Sequence, residues 1–168
     1  MKRLYAPWRS KYSKAIVQAD HTKTFADDCV FCQQISTQQD EEHFILRRFE
    51  HCIFKLNLYP YNAGHVLLLP NKHVASLDHL TSNEQLAIIT VLSKGIATIQ
   101  KTLGNPGTNV GINLGRVAGA SIPNHLHIHI LPRWQGDTNF LPTLANTQAI
   151  SVDLKDIYLR LKPEFEKL

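Results

Sequence analysis

Between residues 82 and 103 the apolar side chains recur at intervals of three and four: Leu86, Ile89, Leu92, Ile96, Ile99 and Leu103. That period predicts an amphipathic helix with a single apolar stripe. Thr81 and Glu84 make the T-x-x-E pattern of a capping box, and Gly104 followed by Pro106 supplies the stop. The chain before this helix carries a different pattern. Residues 51–58, "HCIFKLNL", mix β-branched and aromatic residues with partial alternation, and 65–70, "HVLLLP", form an apolar run closed by Pro70. Both predict strands, and the turn-rich "YPYNAG" between them predicts a hairpin with a longer loop. Residues 109–114, "NVGINL", predict a short strand, and the glycine-bearing loop "GRVAGASIPN" follows it. Leu154, Ile157 and Leu161 predict a helix over about 152–162, ended by Pro163. Residues 1–28 are mixed and polar and read as loop with a short helix.

The segment after the loop, "NHLHIHILPRW" (124–134), alternates strictly. In a strand His125, His127 and His129 share one face, and Leu126, Ile128 and Ile130 share the other, which packs on the core. The apolar face fixes the register, because a slip of one residue would bury all three imidazoles. Pro132 is expected to end the strand. Neighbouring side chains on one face stand roughly 6.5–7 Å apart. Such a row suits successive atoms of an extended ligand better than a single metal ion, although alternate histidines can supply two ligands. A catalytic metal site and an ordinary polar face are the alternatives.

Composition narrows the partners only a little. The chain has 168 residues, 43% hydrophobic and 19% charged, which fits one globular domain. A net charge of +4 and a pI of about 9.0 favour an anionic partner without choosing among nucleotide, nucleic acid and membrane. Lys2, Arg3, Arg9, Lys11 and Lys14 precede the first acid, Asp20, and read as a solvated, docked N-terminus. No apolar run of signal-peptide type follows them, and no stretch suggests a bilayer span, so a cytoplasmic protein is expected. Cysteines stand at 29, 32 and 52. An odd count with a tight C-V-F-C does not suit a secreted disulfide framework. C-x-x-C is then a redox pair or half a metal site. The redox reading wants a βαβ context, which these predicted elements lack. Half a metal site needs further ligands, for which the histidines are candidates. Cys52, inside a predicted strand, reads as core, and His21, His43, His51 and His79 read as surface or strand-edge residues.

His-φ-His-φ-His-φ-φ over 125–131 resembles the signature of the histidine-triad superfamily. "YNAGHVLLLPNKHV" (61–74) looks like that family's second motif, and "NLGRVAGAS" (113–121) looks like its phosphate loop. "HLHIHILPRWQGDTNF" (125–140) and "LYAPWR" (4–9) are similar to the bacterial branch that contains diadenosine tetraphosphate phosphorylases. The resemblance implies a single α+β domain. An antiparallel sheet of about five strands carries the 82–103 helix, with residues 1–28 as an N-terminal arm, 29–140 as the core and 141–168 as a helical tail. It implies an enzyme that acts at an α-phosphate through a covalent nucleotidyl-histidine, most naturally by phosphorolysis or hydrolysis of dinucleoside polyphosphates. A purine nucleoside phosphoramidase and a non-catalytic zinc- or nucleotide-binding protein are the alternatives.

Carried over by position, His127 is the nucleophile, His129 contacts the bridging oxygen, and His65 and His125 complete the catalytic set. Asn57 falls at the ribose position, and Asn113 and Ser121 at the phosphate oxygens. The loop from Asn113 to His125 is one residue longer than in eukaryotic members, so the backbone N–H of Gly119 or Ala120 is an alternative to Ser121. Cys29, Cys32, His73 and His125 match a structural zinc set found in some bacterial members. Phe54 and Leu56 are candidates for a base pocket, and Trp134 for closing the site or for a subunit contact. No organic cofactor, specific nucleic acid or membrane is implied. A purine nucleotide or dinucleoside polyphosphate is the expected ligand, and a homodimer the expected assembly.

Overall fold

The computed structural model describes residues 29–138, Leu144 and residues 152–168. The expectations for residues 1–28, including His21 and the basic arm, lie outside them. Five strands form one sheet: β1 (Ile45–Arg48), β2 (Cys52–Leu56), β3 (Val66–Pro70), β4 (Gly107–Ile112) and β5 (Ile128–Arg133). Their spatial order is β1-β2-β3-β5-β4, and each neighbouring pair is antiparallel. The expected hairpin is β2 with β3, in register from Cys52 opposite Pro70 to Leu56 opposite Val66. Every residue of these two strands is buried, which explains why "VLLLP" reads as a run rather than an alternation.

Among the described residues three α-helices cover the sheet: α1 (Val30–Ser36), α2 (Ser82–Leu103) and α3 (Leu154–Phe165). α2 and α3 lie on one face, over Leu46, Phe54, Leu56, Leu68, Ile128 and Ile130. α1 lies on the other, where Phe31 packs with Ile45, Ile53, Leu67 and Leu69. Each of these fully buried apolar side chains contributes about 1.5–3 kcal/mol of transfer free energy. Arg48 secures the C-terminal end of α1. Its guanidinium donates to Ile35 O at 2.6 Å, to Thr37 O at 2.7 Å and to Asp40 Oδ1 at 2.8 Å. It thereby satisfies carbonyls that a helix end leaves without partners.

The capping box of α2 is formed as expected. Thr81 Oγ1 accepts from Glu84 N, and Thr81 N donates to Glu84 Oε2 at 2.7 Å. Gly104 closes the helix in the left-handed conformation, φ +70°. The stripe is displaced from the expected one. Ile88, Gly95 and Ile99 are buried, while Leu86 and Ile89 are 67% and 57% exposed. The closest approach to the sheet is at Gly95, where an added Cβ would stand 2.3 Å from the Phe54 ring. Leu86 is nine positions away, about 900° of helical turn, and so points to the opposite side. By length and composition alone α2 is apolar enough to span a bilayer, a property the linear pattern did not suggest.

Two of the prolines expected to end elements, Pro132 and Pro163, lie inside them. Pro132 is within β5, beyond Ile130 where pairing with β3 stops, so a missing N–H costs the ladder least there. Pro163 is in the last turns of α3, which continues because Phe165 is fully buried against Phe54 at 4.9 Å between ring centroids. The strand expected at 109–114 is shifted to Gly107–Ile112, and the histidine strand starts later than expected, at Ile128.

Candidate active site and metal centre

Alternation holds along residues 125–130, although His125 and His127 precede the β5 ladder. Leu126, Ile128 and Ile130 enter the core beneath α2 and α3. The histidines face α1, and that face is not the open one expected. His125 is fully buried and His127 is 4% exposed. The Phe31 ring meets both edge-on, at 5.5 and 5.4 Å between centroids.

His127 Nδ1 stands 2.9 Å from the carbonyl oxygen of His125. A carbonyl can only accept, so Nδ1 carries the proton and Nε2 keeps a free lone pair. Burial pushes its pKa below the ordinary histidine value, against the opposing effect of that hydrogen bond. The ring is neutral at pH 7 and competent as a nucleophile.

His129 is oriented by a chain of bonds from the β2–β3 turn. Tyr61 N donates to His65 Nδ1 at 3.1 Å, and the Asn57 amide nitrogen is 3.2 Å from the same atom. His65 therefore carries its proton on Nε2, which lies 2.9 Å from His129 Nδ1. His129 in turn presents Nε2–H. That atom is 3.5 Å from Asn113 Nδ2, so two donors stand side by side, and a ligand oxygen would satisfy both. Burial, followed by the neighbouring imidazoles, holds His65 down at about 3. Burial and then His127 hold His129 at about 4.

A cavity of about 360 Å³ opens between α1 and the turn after β2. His127, His129, Asn57 and Ser121 line it, with Val30, Phe31, Leu67 and Ile122 as apolar wall and Tyr59 and Tyr61 among the remainder. Its size falls within the range of small-molecule sites. Lys55 is the one charged residue lining it, and no carboxylate does so among the described residues. An anionic or neutral ligand suits such walls. The Gly119 and Ala120 N–H groups are not available to it. They donate inside their own loop, to Arg116 O at 2.9 Å and Gly115 O at 3.3 Å. Phe54 and Leu56, candidates for the base pocket, are instead fully buried under α2 and α3. Trp134 does not line the cavity; its backbone N–H donates to Asp137 Oδ2 at 3.1 Å. Asp137 also accepts from Arg133 and Asn62, which ties the end of β5 to the β2–β3 turn.

His125 faces away from the cavity. Its Nε2–H donates to Pro70 O at 3.0 Å, leaving Nδ1 as a ligand atom 3.4 Å from both Cys29 Sγ and Cys32 Sγ. His73 Nδ1 is 3.1 Å from Cys32 Sγ, and all four ligand atoms lie within 4.8 Å of one another. A tetrahedral zinc with two thiolates and two imidazoles separates its ligand atoms by about 3.3–3.8 Å. The set fits a metal ion, and the Pro70 carbonyl supplies the outer hydrogen bond that fixes the ligating nitrogen. Four protein ligands leave no open position, so the group would be structural. Neither cysteine forms a disulfide with another described residue. Cys52 is core, its thiol pushed up to about 12 by burial.

Sequence reasoning missed Phe31, Gln34, Lys55 and Tyr61. α1 carries no long period to reveal it, and Lys55 sits where strand alternation reads as a solvated position.

Comparison with known proteins gives concordant matches. The family model described as HIT domain matches residues 38–136. An AP-4-A phosphorylase of Mycobacterium tuberculosis is 34% identical over 168 residues, 99% of this chain and 86% of that protein. An asymmetrical bis(5′-nucleosyl)-tetraphosphatase of Schizosaccharomyces pombe is 38% identical over 82 residues, 49% of this chain and 44% of that protein. Among solved structures, a zinc-bound histidine triad family protein from Mycobacterium smegmatis superposes with a TM-score of 0.69 at 22% identity. The match covers 85% of this chain and 96% of that one, and it shows the fold.

Proposed function

The chain belongs to the HIT family, and from that premise we propose that it cleaves dinucleoside polyphosphates by nucleotidyl transfer through His127. The lone pair on Nε2 attacks the α-phosphorus, a P–N bond forms, and the bond to the bridging oxygen breaks. The leaving polyphosphate nucleotide takes up negative charge, which the N–H of His129 offsets by donating to the bridging oxygen. Phosphate or water then attacks the nucleotidyl-histidine and restores the imidazole. Asn113 and Ser121 contact nonbridging oxygens, and Asn57 the ribose. The observation that carries this reading is the His127 Nδ1 to His125 O distance of 2.9 Å, which leaves Nε2 unprotonated on a cavity free of carboxylates among the described residues. The similarity to an AP-4-A phosphorylase over nearly the whole chain favours phosphate as the acceptor.

The test is incubation of diadenosine tetraphosphate with and without inorganic phosphate. ADP plus ATP, formed only with phosphate, is the expected result; AMP plus ATP in water alone would replace phosphorolysis by hydrolysis. His127→Ala abolishes turnover and leaves nucleotide binding largely intact. Retained turnover removes His127 from the role. Zinc in the Cys29, Cys32, His73 and His125 set, a homodimer and a reducing, cytoplasmic setting complete the proposal.

A further inference from the structure

Lys55 has no part in the chemistry above, yet it is 2% exposed and lines the cavity. A buried lysine is uncommon unless a partner compensates its charge. Among the described residues its ammonium donates to the Gln34 side-chain oxygen and stands 5.7 Å from the centre of the Phe31 ring. Neither partner is a carboxylate. An ammonium has three N–H groups, and Gln34 Oε1 takes one. Gln34 also lines the cavity. The ammonium keeps N–H groups for a ligand and offers no acceptor.

Position decides what they face. Lys55 is opposite Leu67, and Leu67 is opposite His129. The three form one row across the sheet, with Lys55 two strand spacings from His129, about 9.6 Å. Beside Gln34, the neighbours of Lys55 are the Leu67 side chain across the strand pair and the Phe31 ring, and Val30 adds to the apolar lining of the cavity. An α-phosphate at His127 and His129 has a ribose between it and its base, so the base is the part of a nucleotide that reaches this apolar end. Adenine shows the N7 acceptor beside an N6 donor, whereas guanine shows two adjacent acceptors, O6 and N7. An ammonium repels the adenine amino group and pairs with O6.

We propose that Lys55, held by Gln34, reads the O6 and N7 edge of a 6-oxopurine, so that this site prefers guanine to adenine nucleotides. The assignment rests on the nucleotide reading of the site given above. Burial lowers the Lys55 pKa to about 8, which leaves the side chain charged at neutral pH.

Isothermal titration with GMP, IMP, AMP and ribose 5-phosphate tests it without requiring turnover. GMP and IMP, which share O6 and N7, bind wild-type protein on the order of tenfold to a hundredfold more tightly than AMP. Lys55→Met keeps the volume, removes the donor and brings the ratio toward one. Gln34→Leu frees the ammonium and reduces the ratio too, which keeps the test available if the first variant melts early. A wild-type ratio of one, or tighter AMP, overturns the proposal. So does a Lys55→Met protein that retains the ratio, or one that loses GMP, AMP and ribose 5-phosphate affinity equally, since that lysine would be reading phosphate. Wild-type protein that binds none of the four overturns the nucleotide reading itself.

Discussion

One peptide unit serves two sites. The His125 side chain belongs to the cysteine–histidine cluster, while its carbonyl holds the proton of His127. At this scale pH has a defined sign. His65 and His129 are held at about 3 and about 4, below the ordinary 6.5, so their neutral forms are favoured in the fold. As pH falls below 6.5 the unfolded chain takes up protons that the folded chain refuses. Stability is therefore complete above about 6.5 and is lost progressively toward 4, by about 1.4 kcal/mol per pH unit for each group. Denaturant melts from pH 7.5 to 4.5 should show this slope. His65→Gln removes one titrating ring, and its slope should be shallower by about one proton. Parallel slopes for the two proteins would show that His65 is not depressed.

At the scale of elements, the helix–sheet contact depends on Gly95. A glycine inside a helix gives up about 1 kcal/mol of propensity relative to alanine. Here that loss is offset by bringing α2 down onto Phe54, whose ring is also fixed by Phe165 at 4.9 Å and Phe49 at 6.1 Å. With the ring unable to retreat, Gly95→Ala should destabilise by about 1–3 kcal/mol despite its better propensity. Thermal unfolding checks this, and an unchanged or raised Tm would mean that the contact is loose. α1 is the helix that a bound metal would stabilise. With only seven residues it is too short to be stable alone, and its N-terminal end carries Cys29 and Cys32. If zinc links them to His73 and His125, prolonged chelation lowers Tm by several degrees, and zinc restores it. Cys32→Ser should hold less than stoichiometric zinc by mass spectrometry, while Cys52→Ala retains it. Wild-type protein that purifies without zinc and ignores chelator contradicts the assignment.

At the scale of the molecule, the sheet of the described residues has β4 at one edge. β4 exposes Asn109, Val110 and Gly111, and among the described residues it pairs only with β5; an edge strand of this kind is a template for another chain. Leu86 and Ile89 add exposed apolar area on α2. A homodimer built on these surfaces would run at twice 19.1 kDa in light scattering. Val110→Lys should shift it to the monomer; a wild-type monomer at micromolar concentration would exclude the assembly.

The sequence by itself determined the hairpin, the capped helix and the sidedness of the histidines. Each depends on neighbours within a few residues: the period of apolar positions, Thr81 with Glu84, and the alternation from His125 to Ile130. Family resemblance also named the four metal-ligand candidates, which lie up to 96 positions apart and whose ligand atoms the fold gathers within 4.8 Å. Only the tertiary structure decided which imidazoles are covered, because α1 reaches them from a segment with no strong period. It also decided that α2 turns Leu86 outward, that Phe165 carries α3 past Pro163, and that Lys55 is buried. Those outcomes depend on packing between segments far apart in the chain, where a close approach or a covering ring outweighs local pattern.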